Sequence, residues 1–154
     1  MKKIVSHSLE ETQVIARDYL IELADKYSRL DKAVVVGLSG HLGAGKTAFV
    51  KAMAKELGVV GEITSPTFVI MKIYSINQKI VEKIIGGRFH QLIHIDAYRL
   101  ENAQELEILN LKKLMLDKYN LIMIEWPENV GLKTDEQINM QAIDNSGLIE
   151  LEIQ

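Results

Sequence analysis

The sequence predicts an α/β fold whose central sheet is mixed, with a parallel core and additional antiparallel strands. Ala33 to Leu38 is apolar without alternation, as expected of a strand in a parallel sheet that is covered on both faces. A glycine-rich loop and an apolar helical stripe follow it, so the order is strand, loop, helix. Ile138 to Ile143 and Leu148 to Ile153 are two closing strands, joined by a turn at Asn145-Ser146-Gly147.

The composition is that of an ordinary globular protein. The chain has 154 residues, of which 47% are hydrophobic and 25% charged, and this predicts one domain, residues 1–154. The absence of cysteine excludes disulfides and thiolate metal sites, and the net charge of -3 disfavours direct binding of nucleic acid through its phosphates. No apolar run reaches the roughly 20 residues of a membrane span, which predicts a cytoplasmic protein that does not bind membranes.

Two helices are predicted in the first part of the chain. Ser8-Leu9-Glu10-Glu11 has the form of a capping box, and apolar residues follow it at helical spacing as far as Tyr27. The second helix carries an apolar stripe from Phe49 to Leu57, and Gly58 can end it.

The middle of the chain is predicted to form an antiparallel meander. Phe68 to Tyr74 is a strand with a turn at Asn77-Gln78, and Ile80 to Ile85 is the next strand. Gly86-Gly87 suits a two-residue hairpin, because both glycines can adopt positive φ. The chain then returns through Leu92 to Asp96.

A helix and a second buried strand follow the meander. Glu101 to Leu109 is predicted to be helical, with a continuation after a break through Leu111 to Leu116. Leu121 to Glu125 repeats the apolar, non-alternating pattern of the first strand and ends in an acid.

Gly40 to Thr47, with the sequence GHLGAGKT, matches the phosphate-binding pattern G-x-x-x-x-G-K-[ST]. Its glycines let backbone N–H groups face an anion, Lys46 reaches the outer phosphates and the Thr47 hydroxyl is a ligand for Mg²⁺. A chance match in a chain of this length is roughly a one-in-two-hundred event, so a glycine-rich turn with an incidental lysine is the weaker alternative. The motif predicts the three-layer fold of P-loop NTPases.

A phosphate loop needs an acid at the end of a neighbouring strand to hold the metal, directly or through water. Two acids qualify, since Asp96 and Glu125 each end an apolar run. One could bind Mg²⁺ while the other orients the attacking water, and the sequence leaves their assignment open. For each acid alone, a solvated carboxylate at a strand end is the alternative.

Other residues near these motifs carry weaker signals. Trp126 could stack on a base or on a partner, although packing is the commoner role of a tryptophan at a strand end. Ser65 and Thr67 lie where a nucleotide-sensing loop or a simple turn would be. No metal-ligand spacing relates three of the histidines, so no chemistry is assigned to them: His41, His90 and His94.

The remaining motifs favour ATP hydrolysis that depends on a partner. Asp96 is not followed by the glycine of a GTPase D-x-x-G motif, and Leu132-Lys133-Thr134-Asp135 lacks the first residue of a guanine motif. No arginine follows Arg99, so the C-terminal arginine lid of a small-molecule kinase is absent. Lys46 is then the main cation of the site, which predicts slow hydrolysis until a partner completes it.

In order and spacing, four segments resemble the bacterial TsaE family, the ATPase of the threonylcarbamoyladenosine tRNA-modification system: GHLGAGKTAFVKAMAKELG, ITSPTFVIMKIY, HIDAYRL and LIMIEWPENV. The resemblance implies ATP and Mg²⁺ as cofactors and TsaB and TsaD as partners. That pair transfers the threonylcarbamoyl group to adenosine 37 of tRNA, while ATP hydrolysis by TsaE resets the complex. Contact with tRNA would be indirect, through the complex.

The resemblance also implies roles for single residues. Thr47 and Glu125 would hold Mg²⁺, Asp96 would be the acid needed for turnover and a further candidate ligand, and Lys46 would act with them in catalysis. The other implied contacts are to the nucleotide: Ser8 at adenine, Trp126 close by, Ser65 to Thr67 as a switch segment, and His41, Leu42, Gly43, Ala44, Gly45, Lys46, Thr47 and Ala48 around the phosphates.

The chain departs from the family pattern at two places, and the sequence leaves two alternative functions open. His41 stands where the family usually has aspartate, which affects its switching more than ATP binding, and the meander from Asn77 to His90 is longer than expected. A nucleotide-sensing adaptor without useful hydrolysis is the main alternative function, because the chain has no obvious arginine finger. A small P-loop kinase is a weaker one.

Overall fold

The structure, a computed structural model, describes residues 2–66, 68–102, 104–107, 109–143 and 148–154. Within these ranges no helix is both long and apolar enough to span a membrane. The elements in chain order are β1 (Lys2–Ser6), α1 (Leu9–Lys26), β2 (Val34–Ser39), α2 (Lys46–Glu56), β3 (Met71–Ser75), α3 (Gln78–Ile85), β4 (Gln91–Asp96), α4 (Gln104–Glu107), α5 (Leu111–Met115), β5 (Asn120–Glu125), a 3₁₀ helix (Pro127–Val130), β6 (Glu136–Ile143) and β7 (Leu148–Ile153).

One seven-stranded sheet forms the centre, in the order β1-β7-β6-β2-β5-β4-β3. The strands β6, β2, β5 and β4 are parallel, whereas β1, β7 and β3 join the sheet antiparallel to their neighbours. The predicted mixed sheet with a parallel core is therefore confirmed. Parallel strands end at the same edge, so the residues after β2, β4 and β5 meet there.

A hydrophobic cluster covers each face of the sheet, which gives the three layers. On β2, Val34 and Val36 point into the cluster formed with α1 and α2, whereas Val35 points into the cluster formed with α4 and α5. All three valines are buried. Because both faces are covered, the strand has no polar side, and this explains the non-alternating pattern in the sequence.

Helix α1 begins as the sequence predicts. The Ser8 side chain accepts a hydrogen bond from the backbone N–H of Glu11 at 3.1 Å. The Glu11 carboxylate accepts in turn from the backbone N–H of His7 at 2.7 Å, one residue earlier than in the usual capping box. The first bond satisfies a backbone donor that the helix itself leaves unpaired, and the second pairs the N–H of the residue before the cap.

Removal of this cap is expected to destabilise the folded protein. We expect Ser8→Ala to lower the free energy of unfolding by about 1 kcal/mol, because the N–H of Glu11 loses its acceptor. Urea unfolding followed by circular dichroism measures this change. Ser28→Ala is the matched control, since Ser28 is exposed beyond the end of α1 and is expected to change stability little. An equal effect of both substitutions would contradict the role of the cap.

The predicted strand from Ile80 to Ile85 and the hairpin at Gly86-Gly87 are wrong. Residues 78–85 form α3, which Asn77 caps by accepting from the N–H of Lys79. The apolar residues at 80, 81, 84 and 85 have helical spacing, and Val81 is buried in the cluster beside α1. Their β-branched side chains favour strands, but packing outweighs that preference. Gly86, with φ 63°, ends the helix.

Two other elements have bounds that differ from the predicted ones. β3 begins at Met71 rather than Phe68, because the N–H groups of Val69 and Ile70 both donate to Pro66 O in a turn. The helix predicted from Glu101 to Leu109 is reduced to Gln104–Glu107, between two residues that lie outside the described ranges. The helix at Leu111–Met115 confirms the predicted continuation after the break. β3 pairs antiparallel with β4 directly, whereas the predicted meander placed the strand from Ile80 to Ile85 between them.

The two ends of the chain complete the sheet. The sequence did not predict β1, an edge strand that pairs with β7 and whose polar residues give no clear strand pattern. The paired strands β6 and β7 agree with the prediction. The turn predicted at Asn145-Ser146-Gly147 lies outside the described residues.

Candidate functional site

The glycine loop connects β2 to α2 at the carboxyl edge of the parallel strands. Gly40 passes close to β6, where a Cβ at this position would collide with the carbonyl oxygen of Met140. Gly45 has φ 91°, and a Cβ there would lie 2.5 Å from Cδ1 of Ile149. Only glycine combines this close approach with that backbone conformation, so the loop curls as a phosphate-binding loop does.

Lys46 begins α2 and is 4% exposed. Its ammonium donates to the carbonyl oxygens of Gly40 at 2.6 Å and His41 at 2.9 Å. Nζ also lies 4.0 Å from the centroid of the Trp126 ring, in a cation–π contact. Burial lowers the pKa of Lys46, whereas nearby carboxylates, first that of Glu125, act in the opposite direction. In this low-dielectric position the charge interacts strongly with an anion.

Thr47 and Glu125 are joined directly across the site. The Thr47 hydroxyl donates to Oε1 of Glu125 at 2.7 Å, and Glu125 is 4% exposed at the end of β5. The same oxygen lies 2.8 Å from Nε2 of His94, which is fully buried on β4. The carboxylate is thus held between the loop and the neighbouring strand.

Asp96 lies beside Glu125 because β4 and β5 are parallel and pair Asp96 with Glu125. Neighbouring parallel strands are about 4.8 Å apart, so the two acids are neighbours at the sheet edge. Asp96 is 6% exposed, and its Oδ1 accepts from the backbone N–H of Tyr98 at 3.0 Å. Both acids predicted from strand ends are therefore together.

Trp126 follows Glu125 in an unusual backbone conformation, with φ 59° and ψ 47°. The backbone N–H of Trp126 donates to the carbonyl oxygen of Leu38 at 3.0 Å, which connects Trp126 to β2. The ring is half-buried, lies over the Lys46 ammonium and is 5.4 Å from the Tyr98 ring between centroids. The Trp126 ring therefore packs against residues of the site. A strained backbone conformation of this kind is common beside ligands.

These residues surround a cavity of about 360 Å³, which is within the range of small-molecule sites. It is lined by residues 42–48, Ser65, Asp96, Tyr98, Glu125 and Trp126. The loop, both acids, the tryptophan and Ser65 of the sequence prediction therefore meet in one place. Tyr98 also lines the cavity, although the sequence analysis did not predict it as a site residue.

The other predicted site residues lie elsewhere or are not described. The His41 side chain is exposed, and its carbonyl oxygen makes the contact with Lys46. Ser8 caps α1, beside a second cavity of about 530 Å³ that is lined by the start of α1 and by α2 from Ala48 to Lys55. Thr67 lies outside the described residues.

The side chains of the cavity that can bind a metal offer oxygen atoms, and this chemistry fits Mg²⁺. Thr47 contributes a hydroxyl, while Glu125 and Asp96 contribute carboxylates. Across the described ranges, no three Asp, Glu, His or Cys side chains form a metal cage. Mg²⁺ needs no such cage, because it binds through one or two carboxylates and takes its other ligands from water and substrate phosphates.

His94 contacts Glu125 at the site, and the sequence analysis did not predict this contact. A signal was present, since residues 94 and 96 lie on the same face of β4 at a spacing of two. The spacing does not reveal the partner of His94, because Glu125 is 31 residues away in the chain. Only the pairing of β4 with β5 brings the ring and the carboxylate together.

Comparisons with known proteins identify the family of the chain. The family model "Threonylcarbamoyl adenosine biosynthesis protein TsaE" matches residues 7–149. The tRNA threonylcarbamoyladenosine biosynthesis protein TsaE of Haemophilus influenzae is 32% identical over 127 residues, which cover 79% of this chain and 71% of that protein. The protein of the same name from Streptomyces coelicolor is 38% identical over 123 residues, covering 78% of this chain and 76% of the relative.

A solved structure has the same fold. The crystal structure of YdiB from Bacillus subtilis aligns with a TM-score of 0.63 and 25% sequence identity, over 97% of this chain and 82% of that chain. The predicted P-loop NTPase fold is confirmed by this neighbour together with the mixed sheet. The chain belongs to the TsaE family, whose members are involved in tRNA threonylcarbamoyladenosine biosynthesis.

Proposed function

We propose that this chain, acting as a single domain of residues 1–154, binds ATP with Mg²⁺ and hydrolyses it within the tRNA-modification system, together with TsaB and TsaD. The observation that carries the proposal is the convergence of Lys46, Thr47, Asp96 and Glu125 on one cavity at the edge where parallel strands end. Ligands of α/β sheets bind at this edge.

The loop residues would hold the phosphates. Backbone N–H groups of residues 41–48 and the positive end of α2 favour an anion in the cavity. Lys46 has three ammonium hydrogens, and the carbonyls of Gly40 and His41 accept two of them. The third is available to a phosphate oxygen, while the Trp126 ring limits the positions of the side chain.

Thr47 and Glu125 would hold the metal, and Asp96 would act on water. Mg²⁺, when bound, would neutralise charge on the phosphates. Asp96 would accept a hydrogen bond from the attacking water, orient it and take its proton, because its carboxylate lines the cavity beside Glu125. Tyr98 N–H fixes one oxygen of Asp96 by a hydrogen bond, which limits rotation of the carboxylate.

The rest of the nucleotide would lie along the open side of the loop. Trp126 is available for stacking, and Ser65, with Thr67, would belong to a segment that responds to the bound nucleotide. Ser8 would approach adenine through the second cavity, which begins at the next residue, Leu9, and reaches Ala48 of the loop.

Dependence on a partner is supported by charge and by exposed apolar residues. Among the described residues lining the cavity, Lys46 is the one cation, whereas phosphoryl transfer normally uses several positive groups. Leu42 and Tyr98 line the cavity and are 81% and 49% exposed, and Phe68, which contacts Arg99 next to Tyr98 in the chain, is 85% exposed. Such a rim is typical of a protein contact surface. With a net charge of -3, the chain would reach tRNA only through the complex.

The proposal is tested by ATP hydrolysis with Mg²⁺, first by the purified chain and then with TsaB and TsaD added. We expect slow hydrolysis alone and an increase of at least about tenfold with the pair, because a partner would supply the missing transition-state charge. Lys46→Ala in the same mixture is the control and should remove the increase.

A nucleotide-sensing adaptor is the second candidate, and the single cation of the cavity favours it. The same assay separates the two functions. Tight ATP binding without turnover under either condition would contradict the ATPase proposal and support the adaptor. In that case His41→Asp, which installs the residue usual in the family, is the first variant in which to look for recovered hydrolysis.

A further inference from the structure

We propose that His94 is a positioning residue that determines which oxygen of Glu125 faces the metal, an inference that rests on the proposed function. His94 is fully buried on β4, and its Nε2 lies 2.8 Å from Oε1 of Glu125. A carboxylate oxygen can only accept, so the imidazole hydrogen is on Nε2 and points at that oxygen.

Two donors converge on the same oxygen of Glu125. The Thr47 hydroxyl donates to Oε1 at 2.7 Å, and the His94 ring donates to it at 2.8 Å. These bonds use both lone pairs of Oε1, which leaves Oε2 as the oxygen for a metal or for a water bound to the metal. Because Thr47 donates its hydrogen to Glu125, the lone pairs of its own oxygen stay available for Mg²⁺.

Packing alone does not account for a histidine at this position. Nδ1 of His94 is buried and has no hydrogen-bond partner among the described residues, and such an atom destabilises a fold. The register pairs His94 with Met123 on β5 and with Lys72 on β3, and Met123 belongs to the hydrophobic cluster of that face. An apolar side chain would fill this space without an unpaired nitrogen, so the contact with Glu125 is what distinguishes histidine here.

Without the ring, only Thr47 would hold the carboxylate from this side. Glu125 could then rotate and present either oxygen, and Thr47 would lose the fixed acceptor that orients its hydroxyl. Residues that hydrogen-bond to metal ligands in this manner typically change metal affinity or activity by 10–100-fold when they are replaced. The hydrogen bonds of Lys46 and of the loop carbonyls do not involve His94 in the described structure, so binding of nucleotide without metal should not depend on it.

The test uses two amides of the same polarity but different length. His94→Gln carries an amide N–H₂ near the position of Nε2, whereas the shorter His94→Asn carries it near Nδ1 and does not reach Glu125. Thermal unfolding first establishes that both variants fold. His90→Asn is the matched control, because His90 is exposed immediately before the same strand and stacks on Tyr119 with 4.2 Å between ring centroids.

Metal binding is measured without turnover, as Mn²⁺ bound in the presence of ADP by electron paramagnetic resonance. ADP affinity in EDTA is measured by fluorescence of Trp126, the single tryptophan. We expect His94→Asn to weaken Mn²⁺ binding by at least about tenfold with ADP affinity in EDTA unchanged, and His94→Gln to recover most of the loss. In hydrolysis, kcat should fall in His94→Asn at saturating nucleotide more than KM rises.

The outcomes separate the two proposals. If the wild-type chain binds Mn²⁺ with ADP but His94→Asn binds it equally well, the positioning role is overturned and the proposed function stands. Equal losses in His94→Asn and His94→Gln, accompanied by a loss of ADP affinity in EDTA, would show a general structural role and also overturn it. If the wild-type chain binds neither ADP nor Mn²⁺, the proposed function fails, and the positioning role fails with it.

Discussion

Lys46→Ala is expected to weaken ATP binding by roughly 100-fold or more, because a hydrogen bond to a charged group in a buried site contributes up to about 3 kcal/mol. Lys46 is 4% exposed between the glycine loop and the Trp126 ring, and described residues offer the cavity no second cation. Titration of the protein with ATP in a calorimeter measures the loss.

The control for this substitution is Lys79→Ala. Lys79 also lies in the first turn of a helix, α3, but it is exposed and does not line the cavity. It should leave ATP affinity unchanged. Retained ATP binding in Lys46→Ala would contradict the phosphate-loop assignment itself, and with it both the ATPase and the adaptor.

Asp96→Asn is expected to reduce hydrolysis by about 10²–10⁴-fold while Mg²⁺-dependent nucleotide binding is retained. Asparagine keeps the size of the side chain and still accepts from the N–H of Tyr98, but it cannot take a proton from water. Single-turnover hydrolysis in the complex measures the rate, and the Mg²⁺ dependence of ADP affinity measures binding.

A closely matched control exists in the same chain. Asp117 also accepts with Oδ1 from the backbone N–H of a tyrosine two residues later, at the same 3.0 Å, but it is exposed and lies outside the cavity. Asp117→Asn should therefore leave hydrolysis unchanged. Glu125→Gln should show the opposite pattern to Asp96→Asn, with the Mg²⁺ dependence of binding lost first. If Asp96→Asn removes that dependence instead, the roles of the two acids are reversed.

Local features of the sequence were sufficient for the main parts of the site. GHLGAGKT is contiguous, so the loop, Lys46 and Thr47 could be recognised without knowledge of any distant contact. Asp96 and Glu125 could be identified because each ends an uninterrupted apolar run, which marks a buried parallel strand. The order of these elements then predicted the class of fold.

The segment from 78 to 85 shows where local preference misleads. Its isoleucines and valine favour a strand, whereas their spacing favours a helix, and in eight residues neither signal dominates. Packing of Val81 into the cluster beside α1 settles the outcome as helix. The segment that made the predicted meander long is therefore α3, the helix between β3 and β4.

The phosphate loop, the two acids and the parallel core could all be predicted from the sequence, because each is encoded by neighbouring residues. The tertiary structure alone decided that Asp96 pairs with Glu125 and that His94 and Thr47 share one carboxylate oxygen. These contacts join residues that are far apart in the chain. The register of β4 against β5 brings His94 and Asp96 to Glu125, and the pairing of β2 with β5 brings Thr47 to it. Such a register is fixed by the packing of whole strands, so no short stretch of sequence contains it.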